Sequence, residues 1–143
     1  MKLPDVNLLL YAVNSAEPLH AESRKWLENS LSDEEPFAFD WTVLLAFLRI
    51  STRTGIFARP LQVKEAFELI ESWLSQPCAQ VVCHTPRHSA ILKDLLVRLG
   101  SGGNLTSDAH LAALAMEHGA TLYSADSDFS RFPGLDWINP INL

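Results

Sequence analysis

Four aspartates carry most of the chemistry this sequence can offer: Asp5 near the start, and Asp108, Asp126 and Asp128 within residues 103–129. Carboxylates gathered at one place repel, by about 4 kcal/mol for a pair ~4 Å apart at an effective dielectric of ~20. Such a group either stays partly protonated or holds a cation. An all-oxygen donor set suits Mg²⁺, with Mn²⁺ as a substitute, and no Cys or His cluster offers zinc a seat. A hard divalent ion there keeps waters, accepts phosphate oxygens and supplies an activated water to a phosphodiester. Asn7, Thr106 and Ser124 are placed in sequence to orient the carboxylates from behind. Taken singly, each acid has a plainer use. A carboxylate in a first helical turn meets the positive end of the helix dipole, and Asp-Ser-Asp after a strand is ordinary turn sequence. The chemistry therefore requires that the fold carry Asp5 to the other three.

The elements that would do so are legible in order. Residues 2–6 read as a first strand, with Pro4 favouring an edge position, and Asp5 at its carboxyl end. Residues 7–13 and 20–31 read as helices, the second with Ala21, Trp26, Leu27 and Leu31 inward. Residues 37–39 form a short buried strand. Residues 41–50 are apolar almost all round, which predicts a largely buried helix. Residues 63–75 form a helix with Phe67, Ile70 and Leu74 on one stripe, stopped by Pro77. Residues 79–83 are a third strand, and Thr85-Pro86 opens a helix that runs to Gly100. Thr106 and Ser107 are N-cap candidates for the next helix, Gly119 is its stop, and 120–124 and 135–138 are the last strands. Strands alternating with helices imply an α/β fold, a mostly parallel central sheet of four to five strands flanked by helices. In such a sheet all strand carboxyl ends, and the helix starts that follow them, share one edge. Asp5, Asp108, Asp126 and Asp128 all fall on that edge.

Composition narrows the function classes. The chain has 143 residues, 48% of them hydrophobic and 20% charged, which predicts one globular domain over 1–143. A net charge of −6 argues against binding a long nucleic-acid duplex through bulk charge. Arg49, Arg53, Arg59 and Arg87 offer a local basic rim. Cys78 and Cys83 are too few for a disulfide framework or a zinc site. No leader peptide is legible and no apolar run approaches the ~20 residues of a membrane span, so a cytoplasmic protein is expected.

Three segments in this order resemble PIN domains, and more narrowly the VapC-type toxins of toxin–antitoxin pairs. They are Leu3-Pro4-Asp5-Val6-Asn7-Leu8-Leu9, Gly103-Asn104-Leu105-Thr106-Ser107-Asp108-Ala109-His110-Leu111-Ala112-Ala113-Leu114-Ala115, and Tyr123-Ser124-Ala125-Asp126-Ser127-Asp128-Phe129. The closing Arg131-Phe132-Pro133-Gly134-Leu135-Asp136-Trp137-Ile138-Asn139-Pro140 and the helical Leu44-Leu45-Ala46-Phe47-Leu48-Arg49-Ile50 fit as well. The resemblance covers essentially the whole chain. It implies a Mg²⁺- or Mn²⁺-dependent endoribonuclease, a homodimer held inactive by a cognate VapB-type antitoxin. Asp5, Asp108 and Asp126 match the family's metal-binding acids, and Asp128 matches a nearby, less constant one. One departure stands out: where many relatives carry a Glu in the third helix this chain has Ala46, with Asp40 the nearest acid. That gap keeps open a second reading, a PIN fold that binds RNA or a partner without cutting. A receiver-type phosphorylation domain also gathers acids at strand ends, but it needs a late Lys and this chain has none after Lys93.

Overall fold

In the computed structural model, which describes residues 1–141, the sheet has five strands in the order β3-β2-β1-β4-β5. These are β1 (Lys2–Pro4), β2 (Phe37–Phe39), β3 (Ala79–Val81), β4 (Thr121–Tyr123) and β5 (Trp137–Ile138). Every pairing is parallel. The crossovers are helical: α1 (Val6–Val13), α2 (His20–Leu31), α3 (Trp41–Ser51), α4 (Val63–Leu74), α5 (His88–Leu99) and α6 (Thr106–Glu117). From β1 the chain builds outward through β2 to β3, then returns to the other side of β1 for β4 and β5. The winding direction thus reverses between β1 and β4. In open parallel sheets the crevice for ligands lies at that reversal, outside the strand carboxyl ends.

β1 is therefore central, not the edge strand that Pro4 suggested. The ladder explains why proline is tolerated there. Lys2 N donates toward β2, to Pro36 O at 2.8 Å, and Asp5 N donates toward β4, to Tyr123 O at 2.8 Å. Amides alternate sides along a strand, so the N–H that Pro4 lacks would have pointed to β2. The β1–β2 register has only the pair Lys2↔Phe37, so nothing is lost there. On the β4 side, where the register runs from Lys2↔Thr121 to Pro4↔Tyr123, the ladder is intact.

The core is built from Leu3, Phe37, Phe39, Phe47, Leu44, Ile70, Leu114 and Leu122, each nearly or wholly sealed from solvent. Helix α6 is buried along almost its whole length, and its alanines, Ala109, Ala112, Ala113 and Ala115, leave no bulk to hold neighbours away. Three inward assignments need correction. Helix α3 packs through Val43, Leu44 and Phe47, but Trp41 and Leu45 share the other side and are 42% and 57% exposed. Apolar composition cannot distinguish burial inside one chain from burial against another. In α4 the inward stripe is Ala66, Ile70 and Trp73, so Phe67 falls at its margin and is 39% exposed. Ala21 of α2 is likewise exposed.

Candidate active site

The site grows from the junction of β1 and β4. Asp5 is the first residue past β1 and the N-cap of α1, where its Oδ1 accepts from Val6 N at 2.7 Å. Ser124 is the first residue past β4 and is fully buried. Its Oγ donates to Asp5 Oδ2 at 2.7 Å and accepts from Asn7 Nδ2 at 3.2 Å and from Asp126 N at 3.0 Å. Asn7 Oδ1 in turn accepts from Ala125 N at 3.4 Å. One hydroxyl therefore spends its proton on the first acid and its lone pairs on groups that fix the third. Asp126 Oδ1 accepts from Asp128 N at 2.9 Å, an aspartate-capped turn that folds Asp128 back beside it.

Asp108 comes from the first turn of α6. One carboxylate oxygen each from Asp108, Asp126 and Asp128 lie within 4.8 Å of one another. Asp5 stands close behind. Burial first, then repulsion from Asp5, Asp126 and Asp128, pushes the Asp108 carboxyl up to about 6 from 3.8. Burial also raises Asp5, aided by the charge of Asp126, while the bonds from Ser124 and Val6 offset part of the rise. The four acids form one electrostatic group. An oxygen-only set of this kind fits a hard divalent cation, which would remove the repulsion that otherwise favours a proton on Asp108.

The supporting residues expected from sequence divide. Asn7 and Ser124 are bonded into the group as described. Thr106 lies beside it, lining the same cleft as Asp5 and Asp108, and among the described residues it makes no hydrogen bond to a carboxylate. Nor are Thr106 and Ser107 the N-caps of α6. A single 3₁₀ turn, Gly103–Leu105, feeds the helix directly, so Thr106 is already helical and Leu105 takes the cap position without a side-chain bond. The helix expected from Thr85-Pro86 begins only at His88. Thr85 Oγ1 instead accepts from Arg87 N at 3.2 Å and donates to Glu117 Oε1 at 2.6 Å.

Asp40 does not take the place left by Ala46. It caps the start of α3 and accepts from Thr42 Oγ1 and, at 3.3 Å, from His110 Nε2. Burial alone would raise its carboxyl; the bonds from His110 and Thr42 outweigh that and hold it below the ordinary value. His110 Nδ1 lies 2.9 Å from His88 Nε2, and His88 Nδ1 bonds Glu117. This chain of side chains, Asp40–His110–His88–Glu117, was not legible in sequence. Its members come from the starts of α3 and α5 and from α6, with none of the i, i+4 spacing that marks a shared helix face. Of the expected basic rim only Arg49 lines the cleft. Arg87 is tied to Glu117 O at 2.7 Å, and Arg53 and Arg59 sit on the exposed loop after α3.

Residues 2–135 match the PIN domain family. The chain belongs to that family. Curated relatives place this PIN domain among the VapC type. It is 47% identical over 140 residues to Ribonuclease VapC37 of Mycobacterium tuberculosis, covering 98% of this chain and 97% of that protein. It is 38% identical over 141 residues to Ribonuclease VapC33 of the same species, covering 99% of each. Among solved structures, the fold matches a chain of VapBC2 from Rickettsia felis, bound to a promoter DNA fragment, at TM-score 0.70 and 18% identity over 96% of this chain and 97% of that one. It also matches Mycobacterium tuberculosis VapC20, described as a Sarcin-Ricin loop cleaving toxin, at TM-score 0.68 and 18% identity over 91% and 93%. At that identity the structural matches speak for the fold alone.

Proposed function

We propose that this PIN domain is a Mg²⁺-dependent endoribonuclease, with Mn²⁺ as a substitute, acting as the toxin of a toxin–antitoxin pair. The observation that carries the reading is the convergence of Asp108, Asp126 and Asp128 within 4.8 Å, with Asp5 close enough to raise Asp108. Asp5, Asp108 and Asp126 would hold the ion, with Asp128 beside them. A bound divalent ion supplies an ionisable water and charge at the leaving oxygen. The chain's own residues do the positioning. Ser124 and Asn7 fix Asp5 and the 125–126 backbone, so the acids are set before substrate arrives. The turn at Asp126 presents Asp128 at the exposed mouth, and Arg49 meets the phosphate chain from the opposite wall. The names of the curated relatives support RNA as substrate.

A VapB-type antitoxin partner is supported by solved relatives described as VapBC and FitAB assemblies. The exposed Trp41 at the start of α3, outside the cleft beside the acids, supports a homodimer. Among the described residues no helix is long and apolar enough to cross a membrane, and the proposed action on RNA supports a cytoplasmic location. The second reading, a catalytically weak PIN fold that binds RNA or a partner, rests on Ala46 standing where an acid would otherwise join the group. An RNA-cleavage assay with Mg²⁺ or Mn²⁺ separates them, comparing wild type with Asp5→Ala and Asp108→Ala. Loss of cutting in both variants supports the nuclease. Cutting that persists in both removes the site, and RNA binding without cutting by wild type supports the second reading.

A further inference from the structure

Beside the carboxylates an open cleft of about 750 Å³ runs between α3 and α6. Its walls are Val6, Val43, Leu45, Ala46, Ile50 and Leu111, an apolar surface that water serves poorly. Asp5 and Asp108 line the same cleft, so whatever fills it touches the acidic group. Ala46 contributes only a methyl group, which keeps the middle of the cleft open.

Two polar residues say what the cleft accepts. Arg49 is exposed and, among the described residues, makes no ion pair, although acids line the same cleft. A free guanidinium is a phosphate ligand. His110 also lines the cleft, with a quarter of its side chain exposed. Both of its ring nitrogens are already engaged, Nε2 with Asp40 and Nδ1 with His88. What remains for a ligand is the ring's carbon surface, which suits stacking or edge contact with a flat heterocycle rather than a hydrogen bond.

Resting on the nuclease reading, we propose that this cleft is a nucleobase pocket: it receives the base of a nucleotide next to the cleaved phosphate, with Arg49 on the phosphate chain and His110 against the base. A base reaches such a pocket only when splayed from its stack, so the substrate is an unpaired stretch of RNA, not an A-form duplex. This agrees with a net charge of −6, since the grip is local and not a bulk attraction.

The test uses full-length protein labelled with ¹⁵N and at its methyl groups, stripped of metal with EDTA and exchanged into chelator-free buffer. CMP, UMP, AMP and GMP are titrated by NMR, with ribose 5-phosphate as the base-free control. At least one nucleotide is expected to shift Val43, Leu111 and His110, whereas ribose 5-phosphate at the same concentration shifts Arg49 alone. Ala46→Phe, which fills the pocket, is expected to weaken nucleotide binding at least tenfold while Mn²⁺ still broadens the signals of Asp108 and Asp126. Arg49→Gln weakens nucleotides and ribose 5-phosphate alike and serves if the first variant fails to fold. Equal shifts with and without a base overturn the pocket. So does silence in the cleft, whether a second copy or a protein partner is what covers it. A wild type that cuts RNA but ignores nucleotides loses the pocket and keeps the nuclease; nucleotide binding without cutting is the converse.

Discussion

Asp108→Asn should make the metal-free protein more stable at neutral pH, although it removes a residue assigned to the site. The folded-state pKa of Asp108 is raised from 3.8 to about 6. A raised carboxyl favours the folded state below its unfolded value and loses that advantage as pH climbs through the folded one. At pH 7.5 the ionised group is therefore a standing cost. At full value the shift is worth about 3 kcal/mol. Asp108 is only half-buried, and solvent screening reduces this to about 1–1.5 kcal/mol. For a chain of this size that is a rise of about 3–6 °C in Tm. Melting curves in EDTA, wild type against variant, report the change in the acidic group as a whole, because the titrating groups outside it are common to both. The gain should fall to about half at pH 5 and to about a fifth near pH 4, vanishing only well below the unfolded value. Added Mg²⁺ should then stabilise wild type more than the variant, and more at pH 7.5 than at pH 5. A variant less stable than wild type at pH 7.5, or a Mg²⁺ effect indifferent to pH and to the substitution, would refute the electrostatic account of the site.

Ser124→Ala takes the buried donor from Asp5 and leaves Asn7 Nδ2 and Asp126 N short of an acceptor. It should cost about 1–3 kcal/mol in urea unfolding and lower cleavage about 10–100-fold, the range seen when a ligand's orienting partner is lost. The Asp40–His110 pair should be seen by NMR titration. The Asp40 bond first raises His110, against burial, so its contribution is complete below about 6.5 and is lost as pH passes the raised value; for Asp40 it is lost as pH falls below about 3.8, toward the lowered one. Asp40→Asn should return the His110 midpoint toward its ordinary value, and an unmoved midpoint would refute the pairing. Trp41→Asp places a charge on an exposed aromatic outside the cleft and should convert a dimer to monomer in sedimentation; an unchanged mass rules that face out as the contact between copies.

The acids were legible because their positions follow from connectivity alone. Parallel strands fix which ends share an edge, so Asp5 and Asp126 had to lie on one edge once residues 2–6 and 120–124 were strands, and the pairing of β1 with β4 then makes them neighbours. What failed were inferences that depend on neighbours. Pro4 sits in the central strand because its missing N–H falls on the side where the ladder has already ended, which is a matter of register. Residues 41–50 read as a largely buried helix because composition alone does not say which of its faces the sheet covers, and Trp41 and Leu45 lie on the uncovered one. Thr106 looked like a cap because capping residues mark starts only when the chain enters from an extended conformation, and here a 3₁₀ turn precedes it. The link from His110 through His88 to Glu117 joins residues whose contact arises only when α5 and α6 pack.

The hydroxyl of Ser124 reaches 119 positions back along the chain to Asp5. A polypeptide still being made, with its last third unsynthesised, holds the first aspartate by its local bond from Val6 N alone, and β1 lacks its β4 neighbour. On the nuclease reading, the acidic group is complete only once the final strands are in place, and a chain truncated before residue 121 is expected to cut nothing.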